Sequence, residues 1–127
     1  MPTATIDLIT ENRSTGEFVL ILVEDGPWPE HDSDWNVCLS RIQSRIYDAI
    51  DIAVDGHLVE KYPDAKGKTI RIQIDSPART PDRLKELVFK LRSVISTEGN
   101  EYHSAIKKSQ YVSDLYIVMG HEVTPYN

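Results

Sequence analysis

The residues best suited to chemistry lie in one loop, positions 24 to 35, which reads Glu-Asp-Gly-Pro-Trp-Pro-Glu-His-Asp-Ser-Asp-Trp. Its carboxylates, together with His31, are ligands of the kind that hold a divalent cation. The spacing does not match a calcium loop, because the glycine precedes the acids instead of separating them. The alternative is an acidic helix start, in which Asp32 and its neighbours lie near the positive end of the helix dipole. This alternative fits the sequence better, so we predict no metal and no cofactor.

Two tryptophans give the same region a second possible role. Trp28 and Trp35 either close one end of the hydrophobic core or stack on a small ligand, and the sequence favours packing. If a ligand site exists here, its candidate residues are Trp28, His31, Asp32, Trp35 and, from a later turn, Tyr62.

Other reactive side chains form no recognisable catalytic pattern. The single cysteine, Cys38, lies beside an apolar stripe with no identifiable neighbouring base, which is typical of a packed thiol. The four histidines show no helical metal-binding spacing, and the glycines are isolated turn residues that form no phosphate-binding loop. We therefore predict no catalytic residues.

A long amphipathic helix follows the loop, from about Asp34 to Asp55. Apolar residues recur there at steps of three and four, which is the period of one helix face. The stripe comprises Trp35, Leu39, Ile42, Ile46, Ala49, Ile50 and Ala53. Polar residues, among them Arg41, Ser44 and Arg45, lie on the other side, which we expect to face solvent. Gly56 supplies the left-handed residue that usually ends a helix.

Strands are predicted on both sides of this helix, at 3–10, 17–24, 69–75 and 114–120. A second helix begins after Thr80, with proline at its first position, and ends before Gly99. The segment 101–112 fits either a strand or a short helix. The predicted order is β-β-α-β-α-(β)-β.

This order predicts an α+β fold, a two-layer α/β sandwich with a mixed sheet. The first two strands form an antiparallel hairpin, and right-handed crossovers place both helices on one face. Residues 1–127 are expected to form a single domain whose tail, 121–127, frays.

The second face of this sheet carries apolar side chains on two strands. These interface candidates are Val19, Ile21, Val23, Tyr116 and Val118. A contiguous apolar face of that size is usually a protein contact. The alternative is that the C-terminal tail or the 101–112 segment covers it within the chain.

Composition restricts the partners and the compartment. Hydrophobic residues make up 40% and charged residues 27% of the 127 residues, as in folded domains. The net charge of −6 disfavours nucleic acid and anionic membranes as partners. A lone cysteine, the lack of a recognisable signal peptide and the lack of an apolar run of roughly 20 residues together predict a cytoplasmic protein.

Several short motifs resemble a family of small bacterial proteins of unknown function. They are Ile-Asp at 6–7, Thr-Gly-Glu at 15–17, Glu-Asp at 24–25 and, most clearly, Asp-Gly-His-Leu-Val-Glu-Lys-Tyr-Pro-Asp-Ala-Lys-Gly-Lys at 55–68. The resemblance covers roughly residues 5 to 100. It implies a compact bacterial cytoplasmic domain and brings no activity, cofactor or catalytic residue.

Two functional hypotheses follow. The first is a non-enzymatic interaction module that forms a homodimer or binds an unidentified protein partner through the second sheet face. The second is a small-ligand or metal-dependent enzyme or sensor with its site near Trp28, His31, Asp32 and Trp35.

Overall fold

The computed structural model of this chain describes residues 6–77 and 79–122. Its strands are β1 (Leu8–Glu11), β2 (Phe18–Val23), β3 (Lys68–Asp75) and β4 (Val112–Met119). Its helices are α1 (Asp32–Val54), α2 (His57–Lys61), α3 (Asp82–Ser96) and α4 (Glu101–Lys108), with 3-10 turns at Pro63–Ala65 and Gly120–Glu122.

The four strands form one mixed sheet in the order β1-β2-β3-β4. β1 pairs antiparallel with β2, while β2, β3 and β4 run parallel to one another. α1 connects β2 to β3, and α3 with α4 connects β3 to β4. The predicted α+β fold, with its antiparallel first hairpin and mixed sheet, is confirmed.

The hydrophobic core lies between this sheet and the helices. Alternate strand residues point into it, as the two-residue period of a strand requires. Leu20, Ile72 and Ile117 are each at most 1% exposed and occupy one level of the three parallel strands. From α1 the predicted stripe is buried except for Leu39, which is half-buried.

The segment 101–112, which the sequence left open between strand and helix, forms α4 and the start of β4. Asn100 caps α4, since its side-chain oxygen accepts from the backbone N–H groups of Tyr102 and His103. Ile106 of α4 belongs to the core, so this segment lies in the helix layer and does not cover the second sheet face. The predicted fraying of the tail falls mainly on residues 123–127, which are outside the described part.

No helix in the described part of the chain is both long enough and apolar enough to cross a bilayer. α1 is the longest, at 23 residues, and one side of it is strongly polar.

Candidate functional site

An aromatic cluster occupies the start of α1, where the sequence predicted a ligand site or a closed core end. The rings of Trp28 and Trp35 stack with centroids 5.8 Å apart and planes 9° from parallel. The guanidinium carbon of Arg83, in the first turn of α3, lies 5.4 Å from the Trp35 ring centroid. Arg83 also forms an ion pair with Asp32. Three predicted site residues therefore meet, around an arginine that sequence reasoning missed.

This arrangement shields Trp35 from a ligand, while Trp28 stays half-buried and Asp32 exposed. Trp35 is 9% exposed, and Arg83 both covers it and pairs with Asp32. His31 is exposed, and its side chain makes no capping hydrogen bond to α1. Tyr62 follows α2, at the opposite end of α1, and a 23-residue helix spans about 34 Å. The predicted proximity of Tyr62 to the tryptophans is therefore wrong.

An ion cluster centred on the buried Glu24 lies at the end of β2 and was not predicted. Glu24 is 5% exposed and accepts two hydrogen bonds from Arg41, at 2.8 and 3.1 Å. Arg45 donates to Glu24 at 2.8 Å, to Asp7 at 2.6 Å and to the carbonyl oxygen of Val23 at 2.9 Å. The expectation that Arg45 faces solvent is therefore wrong, because its long side chain reaches back to the sheet end.

The cluster holds its two carboxylates in the charged form. Burial alone would raise the pKa of Glu24, but the hydrogen bonds and charges of Arg41 and Arg45 outweigh burial, so this pKa is lowered. The backbone N–H of Val23 lowers the pKa of Asp7, with further help from Arg45. The signal in the sequence was a glutamate directly after an apolar strand, with two arginines one helical turn apart.

The second face of the sheet is open to solvent over part of its area. Val19 is 1% exposed, so it is buried within the chain, contrary to its predicted place in an interface. The other candidates, Ile21, Val23, Tyr116 and Val118, are half-buried. Leu8, which the sequence did not single out, pairs with Ile21 and is 54% exposed.

A polar row on β3 divides the apolar residues of this face. Arg71, Gln73 and Asp75 lie between the β2 and β4 side chains, since Ile21 is level with Gln73 and Gln73 with Val118. Gln73 donates to Asp75 at 2.9 Å. Among the described residues, the Nε of Arg71 and the Oε1 of Gln73 are buried without a hydrogen-bond partner. The predicted face is thus apolar at its sides and polar in its middle.

Tyr116 joins this row to the loop before β2. Its hydroxyl donates to Glu17 at 2.7 Å, and Arg71 lies 3.6 Å from the same carboxylate. Burial, and then the hydrogen bond to the Glu17 carboxylate, raise the pKa of Tyr116. The phenol therefore stays protonated at neutral pH and acts as a hydrogen-bond donor.

A family model for proteins of unknown function, DUF6572, matches residues 1–108 of the chain. The chain belongs to this DUF6572 family. The match runs from the first strand through α4 and leaves only β4 and the tail outside. It therefore extends past Gly99, where the sequence resemblance was expected to end. A comparison with curated proteins and another with solved structures each find no match.

Two histidines of this DUF6572 chain contact other groups of the same chain. Of the histidines, His57 pairs with Asp55 at 2.8 Å, and His103 contacts the carbonyl oxygen of Ile95 at 2.9 Å. Within residues 6–77 and 79–122, no group of three or more His, Cys, Asp or Glu side chains is placed to hold a metal ion. On the open sheet face, exposed Leu8 lies beside half-buried apolar side chains.

Proposed function

We propose that this DUF6572 protein is a non-enzymatic protein-interaction module that binds through the open face of its sheet, and that its partner is a second copy of the chain. The observation that carries this proposal is the exposed Leu8 beside Ile21 and Val23. A leucine on a sheet face, next to two half-buried β-branched residues, gains by leaving water when another apolar surface covers it.

The choice of a second copy rests on how the face is arranged. Leu8, Ile21, Gln73 and Val118 lie at one level across all four strands. If a twofold axis crosses the strands at this level, in the plane of contact, each of these residues faces its own counterpart. The apolar strip of β1 and β2 then packs on the same strip of the other copy.

Charge supports the same axis. On β3, Arg71 and Asp75 lie two residues on either side of Gln73 and carry opposite charges. The twofold axis described above places Arg71 of one copy near Asp75 of the other, and the reverse. Complementary charges of this kind set the register of an interface more than its strength.

A bacterial cytoplasmic location belongs to the same proposal. Its support is the single free cysteine, half-buried Cys38, which suits a reducing compartment. The rival hypothesis of a small-ligand or metal site near Trp28 has no such support, because Arg83 covers Trp35 and pairs with Asp32.

Cross-linking between introduced cysteines tests whether two copies pack about this twofold axis. In a Cys38→Ser background, Leu8→Cys places a thiol on the axis, and Thr10→Cys places one on the same face and strand, two residues away. Faces of packed sheets lie about 10 Å apart, and the two-residue offset adds about 14 Å along the strands. A short bismaleimide should therefore link Leu8→Cys chains into dimers and leave Thr10→Cys chains mostly single. Equal cross-linking of the two variants would contradict this arrangement.

A further inference from the structure

β4 is an edge strand, and its outer side carries main-chain groups that no neighbouring strand pairs. Arg92 donates from Nε to the carbonyl oxygen of Ile117 at 2.7 Å, so the backbone of Ile117 points away from β3. The backbone groups of successive strand residues point to opposite edges of the strand. The N–H and C=O groups of Leu115 and Met119 therefore also point away from β3.

Side chains of the same chain cap most of this edge. Asp114 accepts from the N–H of Leu115 at 2.9 Å, and Glu122 accepts from the N–H of Met119 at 2.7 Å. Glu122 also pairs with Arg92, which itself caps Ile117. Between these caps, the C=O of Leu115 accepts no hydrogen bond from the described residues, and the N–H of Ile117 donates none to them. One residue of an added strand would satisfy both groups with its own N–H and C=O.

A groove of about 620 Å³ runs along this part of the edge, between β4 and the helices α3 and α4. Its helix side presents Ile95 and Ile106, which are 6% and 4% exposed, as apolar lining. Lys107 stands beside them, exposed, and no carboxylate of the described chain pairs with it. The groove thus offers two main-chain groups for pairing, a small apolar surface and the cation of Lys107 on its helix side, with the carboxylate of Asp114 on its strand side.

We propose that this groove binds an extended segment of another protein, which adds to β4 as a short strand and directs an acidic side chain to Lys107. Main-chain hydrogen bonds hold such a segment, and side-chain contacts on alternate residues select it. The Arg92–Glu122 pair covers the edge beyond Ile117, so pairing is limited to a few residues. This site lies at the edge of the sheet and shares Tyr116 and Val118 with the open face, but it does not involve Leu8, so its failure leaves the proposed function untouched.

The added residue that pairs with Leu115 and Ile117 lies level with Tyr116, so its side chain points to the open sheet face and its two neighbours point to the helix side. Two synthetic peptides, acetyl-Thr-Glu-Val-Glu-Thr-amide and the same peptide with lysine in place of both glutamates, are therefore suitable probes. In ¹⁵N-resolved NMR titrations of the full chain, the acidic peptide should shift the amides of Ile117 and Lys107 in a saturable way at millimolar concentration. N-methylation of its central residue removes the donor for Leu115 and should abolish the saturable shifts. Saturable shifts centred on Leu8 and Ile21, or none at all, would overturn the proposal.

Two charge-reversal variants of α4 test whether the peptide contacts the charge of Lys107. Lys107→Glu should lower the affinity for the acidic peptide by about two- to fivefold, the range of an exposed ion pair. The same variant should raise the affinity for the basic peptide. Lys108→Glu, the same change at the neighbouring α4 residue that does not line the groove, is the matched control. Equal weakening by the two variants would show general electrostatics and contradict a specific contact with Lys107.

Discussion

Glu24 is a buried carboxylate whose hydrogen bonds we expect to stabilise the fold. It is buried and accepts from two arginines that belong to α1, so it ties the end of β2 to the helix layer. Glu24→Gln keeps the shape but removes the charge, and should cost about 1.5–3 kcal/mol, the range for hydrogen bonds to charged groups. Urea unfolding measures this cost. Glu30→Gln, in the exposed part of the same loop, is the control and should change little.

The same residue predicts a pH dependence. Because the folded state lowers the pKa of Glu24 below its ordinary 4.5, the folded chain binds its proton less readily than the unfolded chain does. The stabilisation is therefore complete above that ordinary value and is lost as the pH falls through the folded-state pKa. Asp7 and Glu122 shift in the same direction. Unfolding free energy should fall below about pH 4.5, less steeply in Glu24→Gln; identical pH profiles would contradict this origin.

Gly56 is a second position where one residue type is required. Its φ of 99° is left-handed, and an added Cβ would lie 2.8 Å from Cζ of Tyr111. Gly99 has a similar φ of 91°, with nothing within 4 Å of its added Cβ. Both alanine variants meet the same backbone strain, but Gly56→Ala also clashes, so it should cost about 1–3 kcal/mol more. Equal unfolding midpoints would show that Tyr111 moves aside freely.

At the scale of elements, α1 organises the core. Ile46 is fully buried, and Ile46→Ala should cost about 2–5 kcal/mol because it leaves a cavity among packed side chains. The control is Ser44→Ala, on an exposed position of the same helix, which should stay within about 0.5 kcal/mol. Similar losses in the two variants, measured by thermal unfolding, would contradict the role of this stripe.

The spacing of apolar residues predicted the helices and strands well, because the burial of one face requires that spacing. The α1 stripe and the alternation of β3 each report which residues leave water. α4 stayed ambiguous because its short sequence fits two periods, and the deciding signal was Asn100 as a cap. Periodicity misplaced Arg45, since it assigns the direction of a Cα–Cβ bond and not the reach of a long side chain.

The candidate sites were less predictable than the elements, because they depend on contacts between distant segments. Trp28 and Trp35 were identified, but Arg83, which joins them to Asp32, comes from α3. The apolar residues of the second face were also identified, yet their division by the β3 row depends on strand order and register. Leu8 became prominent only once its pairing with Ile21 was known.

At the scale of the molecule, all the described helices that contribute to the core lie on one side of a four-stranded sheet. The other side exposes Leu8 and keeps Ile21 and Val23 partly in water. Leu8→Lys should abolish self-association while leaving the fold intact, since a charge cannot stay unpaired in an apolar contact. Val37→Lys makes the same change at a 74% exposed apolar position of α1, off the sheet, and should have no effect.

Sedimentation equilibrium of the unmodified protein across the micromolar range is the most direct test of self-association through the open sheet face. We expect a mass of twice the 14.4 kDa of one chain, which should fall to that of a single chain in Leu8→Lys and stay unchanged in Val37→Lys. A single-chain mass for the unmodified protein throughout that range would contradict self-association through the open sheet face.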